Sequence, residues 1–266
     1  MSSLVCYSSS DSSESENEEQ KKKPSYQETH SNTDVKIKNK LPLPEAVTTL
    51  FGGREERVED SSHHGGRQRS FKHEPGNWAT LVYIPYHAEE EESFVRMQSE
   101  LFACLRPLEF HRMDDYHVSL SRTVTIRHHW IQDFTNTLMT SFAKLPQCWC
   151  KVKGVSVLSN DEKTRSFLVL DVQCGDEILQ DFVLVVDKCF QQYNLHPYYQ
   201  PPLFHMSIGW CLGDVCEDIP RKTKMKLKDI ADTVMKEDDD LEYFVVNSIC
   251  MKIGNKTFTF PLKSSS

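Results

Sequence analysis

Apolar positions gather after about residue 76 and fall into two rhythms, one of period two and one recurring at three and four. Residues 78–86, Trp-Ala-Thr-Leu-Val-Tyr-Ile-Pro-Tyr, are β-branched and aromatic and end near a proline, which predicts a strand. Amphipathic spacing predicts helices over 89–105 and 130–145, with a strand over 116–126 between them. Strands over 149–158 and 166–173 follow, then a helix over 176–193 opened by acids in its first turn. A proline-flanked loop, 196–203, leads into a strand over 204–211. The remainder predicts a charged helix over 221–236 and strands over 243–253 and 257–262. The order of elements is similar in the two halves, so the expectation is an α+β domain of two similar lobes spanning 71–266.

Residues 1–70 lack both rhythms. A serine/acid run over 8–19, the triplet Lys21-Lys22-Lys23 and a Gly/His/Arg-rich stretch over 52–69 cannot bury enough apolar area to offset the entropy of ordering. This segment reads as a disordered tail, with the Leu41-Pro-Leu-Pro stretch through Phe51 as a piece able to dock locally. Acids three residues beyond Ser13 and Ser15 suit phosphorylation, and 21–24 has the form of a weak nuclear signal; a plain solvated tail explains both as well.

Charge narrows the choice of partners. The chain of 266 residues carries 39 acidic and 31 basic side chains, a net charge of −8, and residues 71–266 alone hold 27 acids against 21 bases. Proteins that grip long duplexes draw their affinity from a basic face that releases counterions. Any contact with nucleic acid is therefore expected to be short and local. There is no apolar run of membrane-spanning length, and the N-terminus is polar, so a soluble protein is expected with no membrane partner. Nine scattered cysteines, an odd number, point to reduced thiols in cytosol or nucleus.

Against this background one pattern stands out. The form His-apolar-Ser-apolar occurs twice, as His117-Val118-Ser119-Leu120 and His205-Met206-Ser207-Ile208, and nowhere else. Composition predicts fewer than one such tetrapeptide by chance. A lone strand histidine usually has an ordinary packed or surface role; a matched pair outweighs that explanation. Side chains alternate along a strand, so His and Ser share one face, while Val118, Leu120, Phe204, Met206, Ile208 and Trp210 point the other way. If the two strands are neighbours, a single cleft receives two imidazoles and two hydroxyls. That set suits phosphodiester cleavage: a neutral imidazole takes a proton from the attacking hydroxyl and a protonated one gives a proton to the leaving oxygen. The hydroxyls donate to the non-bridging phosphate oxygens. Ser121 shares the parity of Ser119 and is either a cleft-lining residue or a solvated one. Gly209 is expected to let a ligand approach the backbone.

The paired His-x-Ser elements resemble those of the 2H phosphoesterase superfamily. Within it, Gly76-Asn77-Trp78-Ala79-Thr80 with Val82-Tyr83, the run from Phe110-His111 through Tyr116 to Ser121, Arg127-His128-His129-Trp130, Glu162-Lys163-Thr164-Arg165, Tyr199-Gln200, Phe204 through Ser207 and Gly254-Asn255-Lys256 resemble the U6 snRNA phosphodiesterase family, from about residue 67 onward. The resemblance implies a two-lobed fold with antiparallel sheets lining a central cleft and helices outside. It implies a monomeric, metal-independent 3′-to-5′ exoribonuclease of the nucleus that trims the oligouridine end of U6 snRNA and leaves a 2′,3′-cyclic phosphate. The substrate's own 2′-hydroxyl is then the nearest nucleophile. His117 and His205 would be catalytic, Ser119 and Ser207 phosphate-binding, and Tyr199 a base-stacking residue, with Gln200 adding a polar contact. Pro201-Pro202-Leu203 departs from the more polar residues of the family.

His128-His129 and Cys148-x-Cys150 lack the paired spacings of zinc sites, so neither a metal nor another cofactor is expected. Acid runs at 89–92 and 237–240 read as solvated turns and caps. Two other functions stay open at this point: hydrolysis of a 2′,3′-cyclic phosphate by the same site, as in cyclic phosphodiesterases and 2′-5′ RNA ligase-like enzymes, or an RNA-binding module without catalysis.

Overall fold

A computed structural model describes residues 75–87 and 91–264; the expected tail over 1–70, its docking piece and its modification sites lie outside the described residues. In chain order the elements are β1 (Asn77–Pro85), α1 (Glu92–Cys104), β2 (His111–Arg112), β3 (His117–Ser119), β4 (Val124–Arg127), α2 (Ile131–Phe142), β5 (Cys148–Ser159) and β6 (Arg165–Cys174). They continue as α3 (Ile178–Gln191), β7 (His205–Leu212), α4 (Arg221–Glu237), the short α5 (Asp239–Glu242), β8 (Tyr243–Val246), β9 (Ser248–Ile253) and β10 (Lys256–Pro261). Single 3-10 turns at His128–Trp130 and Gly175–Glu177 lead into α2 and α3.

All the strands join one antiparallel sheet, in the order β10-β9-β1-β3-β7-β6-β5-β8, with β4 also on β1 and β2 also on β7. The two expected lobes are thus the two halves of a continuous sheet, joined where β3 pairs with β7. Only Asn247 separates β8 from β9, yet these are the last and the second strands of the order. One residue cannot cross six strand spacings of about 4.8 Å, so the sheet has to curl until those strands approach.

Helices cover one side of this sheet because their apolar residues recur on one stripe. Phe94, Met97 and Leu101 of α1, Phe134, Leu138 and Phe142 of α2, and Phe182, Val186 and Phe190 of α3 are essentially inaccessible to solvent. They meet Val82, Ile84, Val118, Leu120, Met206 and Ile208 from the strands in a single core. Gln98, also buried, donates its amide N–H groups to Tyr116 Oη at 2.9 Å and to the Ile208 carbonyl at 2.8 Å, tying α1 to the back of β7.

Two strands expected to be continuous are broken. The 116–126 segment splits because the pairing of β1 shifts: Ser119 faces Tyr83 and Val124 faces Thr80, which sets four residues against the two between Thr80 and Tyr83. The surplus bulges out. Ser121 fills the gap in the ladder, its Oγ accepting the Val82 N–H at 2.9 Å, and it is almost wholly buried. It therefore completes the backbone of β1 and is neither a cleft-lining residue nor a solvated one. The 243–253 segment breaks at Asn247, where the chain passes from one half of the sheet to the other.

Gly209 differs from expectation as well. A Cβ there would lie 2.5 Å from Phe102 Cζ, so the missing side chain makes room for a core ring from α1, not for a ligand.

Candidate active site

Val118 of β3 lies directly opposite Met206 of β7, and both side chains are completely buried. In an antiparallel pair the neighbours of an opposed pair also face each other, and on the other side of the sheet. The register consequently sets His117 across from Ser207 and Ser119 across from His205, all four half-buried on the face away from the core. Opposed residues stand about 5 Å apart and diagonal neighbours about 7–8 Å. His117 and His205 are diagonal neighbours. Side chains at that separation, with one hydroxyl across from each ring, are close enough to donate to a single phosphate group.

The two imidazoles sit in different surroundings. The Tyr83 ring packs 5.1 Å from the ring of His117. Burial pushes the His117 pKa below its ordinary value; Asp115 opposes this, while Lys252 and His205 add to it. Asp115 and Lys252 are themselves ion-paired at 3.4 Å. Across the cleft, His205 Nδ1–H donates to the Leu203 carbonyl at 2.8 Å, which fixes the ring and leaves Nε2 to exchange a proton. On the next strand Asp171 faces His205, with its carboxylate accepting the Ser156 hydroxyl at 2.8 Å.

The loop before β7 divides its two tyrosines. Tyr198 is buried, its ring nearly parallel to Phe204 and its N–H donated to Asp187 Oδ1 at 2.8 Å. Tyr199 is turned outward, 41% exposed. Its ring lies under the guanidinium of Arg122, 3.7 Å from the centroid, and Arg122 also pairs with Asp161 at 3.2 Å. Arg122 belongs to the bulge that follows β3, which explains how it reaches the loop. Gln200 beside it is exposed. The structure thus gathers His117, Ser119, His205 and Ser207 on one face, hangs Tyr199 and Gln200 on the adjoining loop, and removes Ser121.

The sequence pointed to no site role for Arg122 or Asp171, and to Tyr83 only as part of the family resemblance. Tyr83 and Asp171 have the period-two parity of cleft residues on strands that were expected, so pairing was the absent information. Arg122, the first residue past the Ser119-Leu120-Ser121 run, was available as a cation beside the motif.

The family described as "HVSL: Uncharacterised conserved protein" matches residues 41–261, a match that begins earlier than the boundary expected near residue 67. "U6 snRNA phosphodiesterase 1" of Danio rerio is 39% identical over 230 residues, covering 84% of this chain and 81% of the relative. The protein of the same name from Homo sapiens is 37% identical over 229 residues, covering 85% of each. Among solved structures, Kluyveromyces marxianus Usb1 is similar at a TM-score of 0.45 and 14% identity, over 70% of this chain and 98% of that one. Matched over most of its length at these identities, the chain belongs to the HVSL family, whose curated relatives carry the name U6 snRNA phosphodiesterase 1.

Proposed function

We propose that this protein is a phosphodiesterase of the two-histidine type that shortens the 3′ end of U6 snRNA. The observation that supports this reading is the register of Val118 on Met206, from which two imidazoles and two hydroxyls of one chain share a face of adjacent strands. The curated relatives named for U6 snRNA supply the substrate.

The reaction follows from what each group can do. One imidazole, neutral, takes the proton of the ribose 2′-hydroxyl next to the scissile bond, and that oxygen attacks phosphorus. The other imidazole, protonated, gives its proton to the departing 5′-oxygen. The bond to the terminal nucleotide breaks, and the shortened RNA ends in a 2′,3′-cyclic phosphate. Ser119 and Ser207 donate to the non-bridging oxygens as their charge is redistributed. Nothing in this sequence of steps calls on a metal. Tyr199 stacks on a base with the face that Arg122 leaves uncovered, which tolerates any base. Gln200 adds a polar contact from the same loop.

The acidic balance of residues 71–266 favours grip on a short terminal stretch of RNA over tracking along a duplex. Both histidines come from one chain, so a monomer suffices. No helix among the described residues is long and apolar enough to cross a membrane. Action on a spliceosomal RNA is consistent with work in the nucleus.

Incubation with 3′-uridylated RNA in a chelating buffer tests the reading. Stepwise loss of 3′ nucleotides supports it. Opening of a supplied 2′,3′-cyclic phosphate without any shortening would replace it with a cyclic phosphodiesterase.

A further inference from the structure

The opposite side of the sheet from the imidazoles holds a second cluster of reactive groups. Cys150 of β5 is opposite Cys174 of β6, and Cys148, two residues earlier on β5, shares the face of Cys150. The three sulfur atoms all lie within 4.8 Å of one another, with Cys150 Sγ 2.9 Å and Cys148 Sγ 3.3 Å from Cys174 Sγ. Cys150 and Cys174 are buried and Cys148 is partly open to solvent. Among the described residues this is the one group of three or more histidine, cysteine or carboxylate side chains so placed. It is distinct from the proposed active site: Asp171 faces His205, and Cys174, three positions further along the same strand, points to the other side.

We infer that Cys148, Cys150 and Cys174 form a binding site for a soft d10 cation of the zinc or copper(I) class, held by three thiolates. Sulfur-only ligands select soft cations over magnesium or calcium. Thiolates around such an ion sit about 2.3 Å from it, which spaces the sulfurs about 3.8–4.0 Å apart, so the observed contacts open by roughly 1 Å or less. A trigonal copper(I) ion needs nothing more, and a zinc ion takes a water as fourth ligand on the open side of Cys148. A disulfide between Cys150 and Cys174 would use only two of the three sulfurs and would require an oxidant. The cation instead engages all three and pins the start of β5 to the end of β6, where the 3-10 turn Gly175–Glu177 leads into α3. Its role is to fasten the fold, because binding to the folded chain alone stabilises it. The spacing Cys-x-Cys concealed this site, since the third ligand comes from the neighbouring strand 24 residues away.

The test is titration of the full, reduced, metal-free protein with Cd2+, followed by thiolate-to-metal charge-transfer absorption and by native mass spectrometry. The expected result is one Cd2+ per chain with the absorption of three thiolates. Cys148→Ser and Cys174→Ser should each weaken binding at least tenfold, while Cys104→Ser, on α1, leaves it unchanged. Cys148 is partly exposed, so its variant carries the test even where changes at buried Cys150 impair folding. Equal Cd2+ uptake by the wild type and Cys148→Ser would overturn the inference. So would a wild-type mass two hydrogens lower in reducing buffer with Cys150 linked to Cys174. Because the readout is metal uptake, its failure leaves the phosphodiesterase reading untouched.

Discussion

Val118 and Met206 face each other across the β3–β7 ladder, both shut off from solvent, and that one pairing sets each histidine opposite the serine of the other strand. If the two imidazoles act together on one phosphate, removing either disables the same step. His117→Ala and His205→Ala should each lower kcat by about 10²–10⁴-fold, and the double variant should be little worse than either single one. Ser119→Ala and Ser207→Ala each remove one donor to the phosphate and should cost less, about 10–100-fold. Single-turnover cleavage of a 3′-uridylated oligonucleotide reads all five proteins.

Arg122 covers one face of the Tyr199 ring, and stacking on a base would use the other. Tyr199→Ala should raise KM by about 5- to 100-fold, the equivalent of a lost base stack of about 1–3 kcal/mol, whereas Tyr199→Phe keeps near-normal KM. A steady-state comparison on oligouridine measures it. An effect confined to kcat would count against stacking.

Ser121 and Gly209 separate architecture from chemistry. Ser121→Ala strands the buried Val82 N–H and should destabilise the fold by about 1–3 kcal/mol. Gly209→Ala drives a methyl group into the Phe102 ring, and overpacking of this kind also costs about 1–3 kcal/mol. Urea denaturation should show both as lower midpoints with unchanged slope. Phe102→Leu should recover part of the Gly209→Ala loss, since it removes the atoms in collision.

Much of this was legible locally, and the remainder was not for one reason. Helix stripes such as Phe94, Met97 and Leu101 and strand alternation such as His117, Val118 and Ser119 are written in neighbouring residues. Pairing is not. The four-against-two mismatch between β1 and the segment after Ser119 decides that Ser121 caps a backbone group and that Arg122 swings onto Tyr199. Gly209 follows the same logic, because its neighbour Phe102 lies on a helix more than a hundred residues earlier in the chain. Period two told which residues share a face; only the register told which faces meet.

Burial lowers the pKa of His117 from its ordinary 6.5, so below that pH the unfolded chain takes up a proton before the folded one does. The contribution of His117 to stability is therefore present above about 6.5 and lost as pH falls through the lower, folded-state value. NMR titration of the His117 ring should give a midpoint below 6.5, and His117→Gln should flatten the fall in stability on the acid side. A midpoint above 6.5 would mean that Asp115, not burial, governs this ring.

The central claim is that two imidazoles turn the substrate's own 2′-hydroxyl against the neighbouring phosphate. Mass spectrometry of the products from 3′-uridylated RNA, with and without a 2′-deoxy sugar at the penultimate position, tests it most directly. The account predicts a shortened RNA ending in a 2′,3′-cyclic phosphate from the all-ribose substrate and no cleavage of the 2′-deoxy one. Equal shortening of both would contradict it, because the attacking group would then be something other than that hydroxyl.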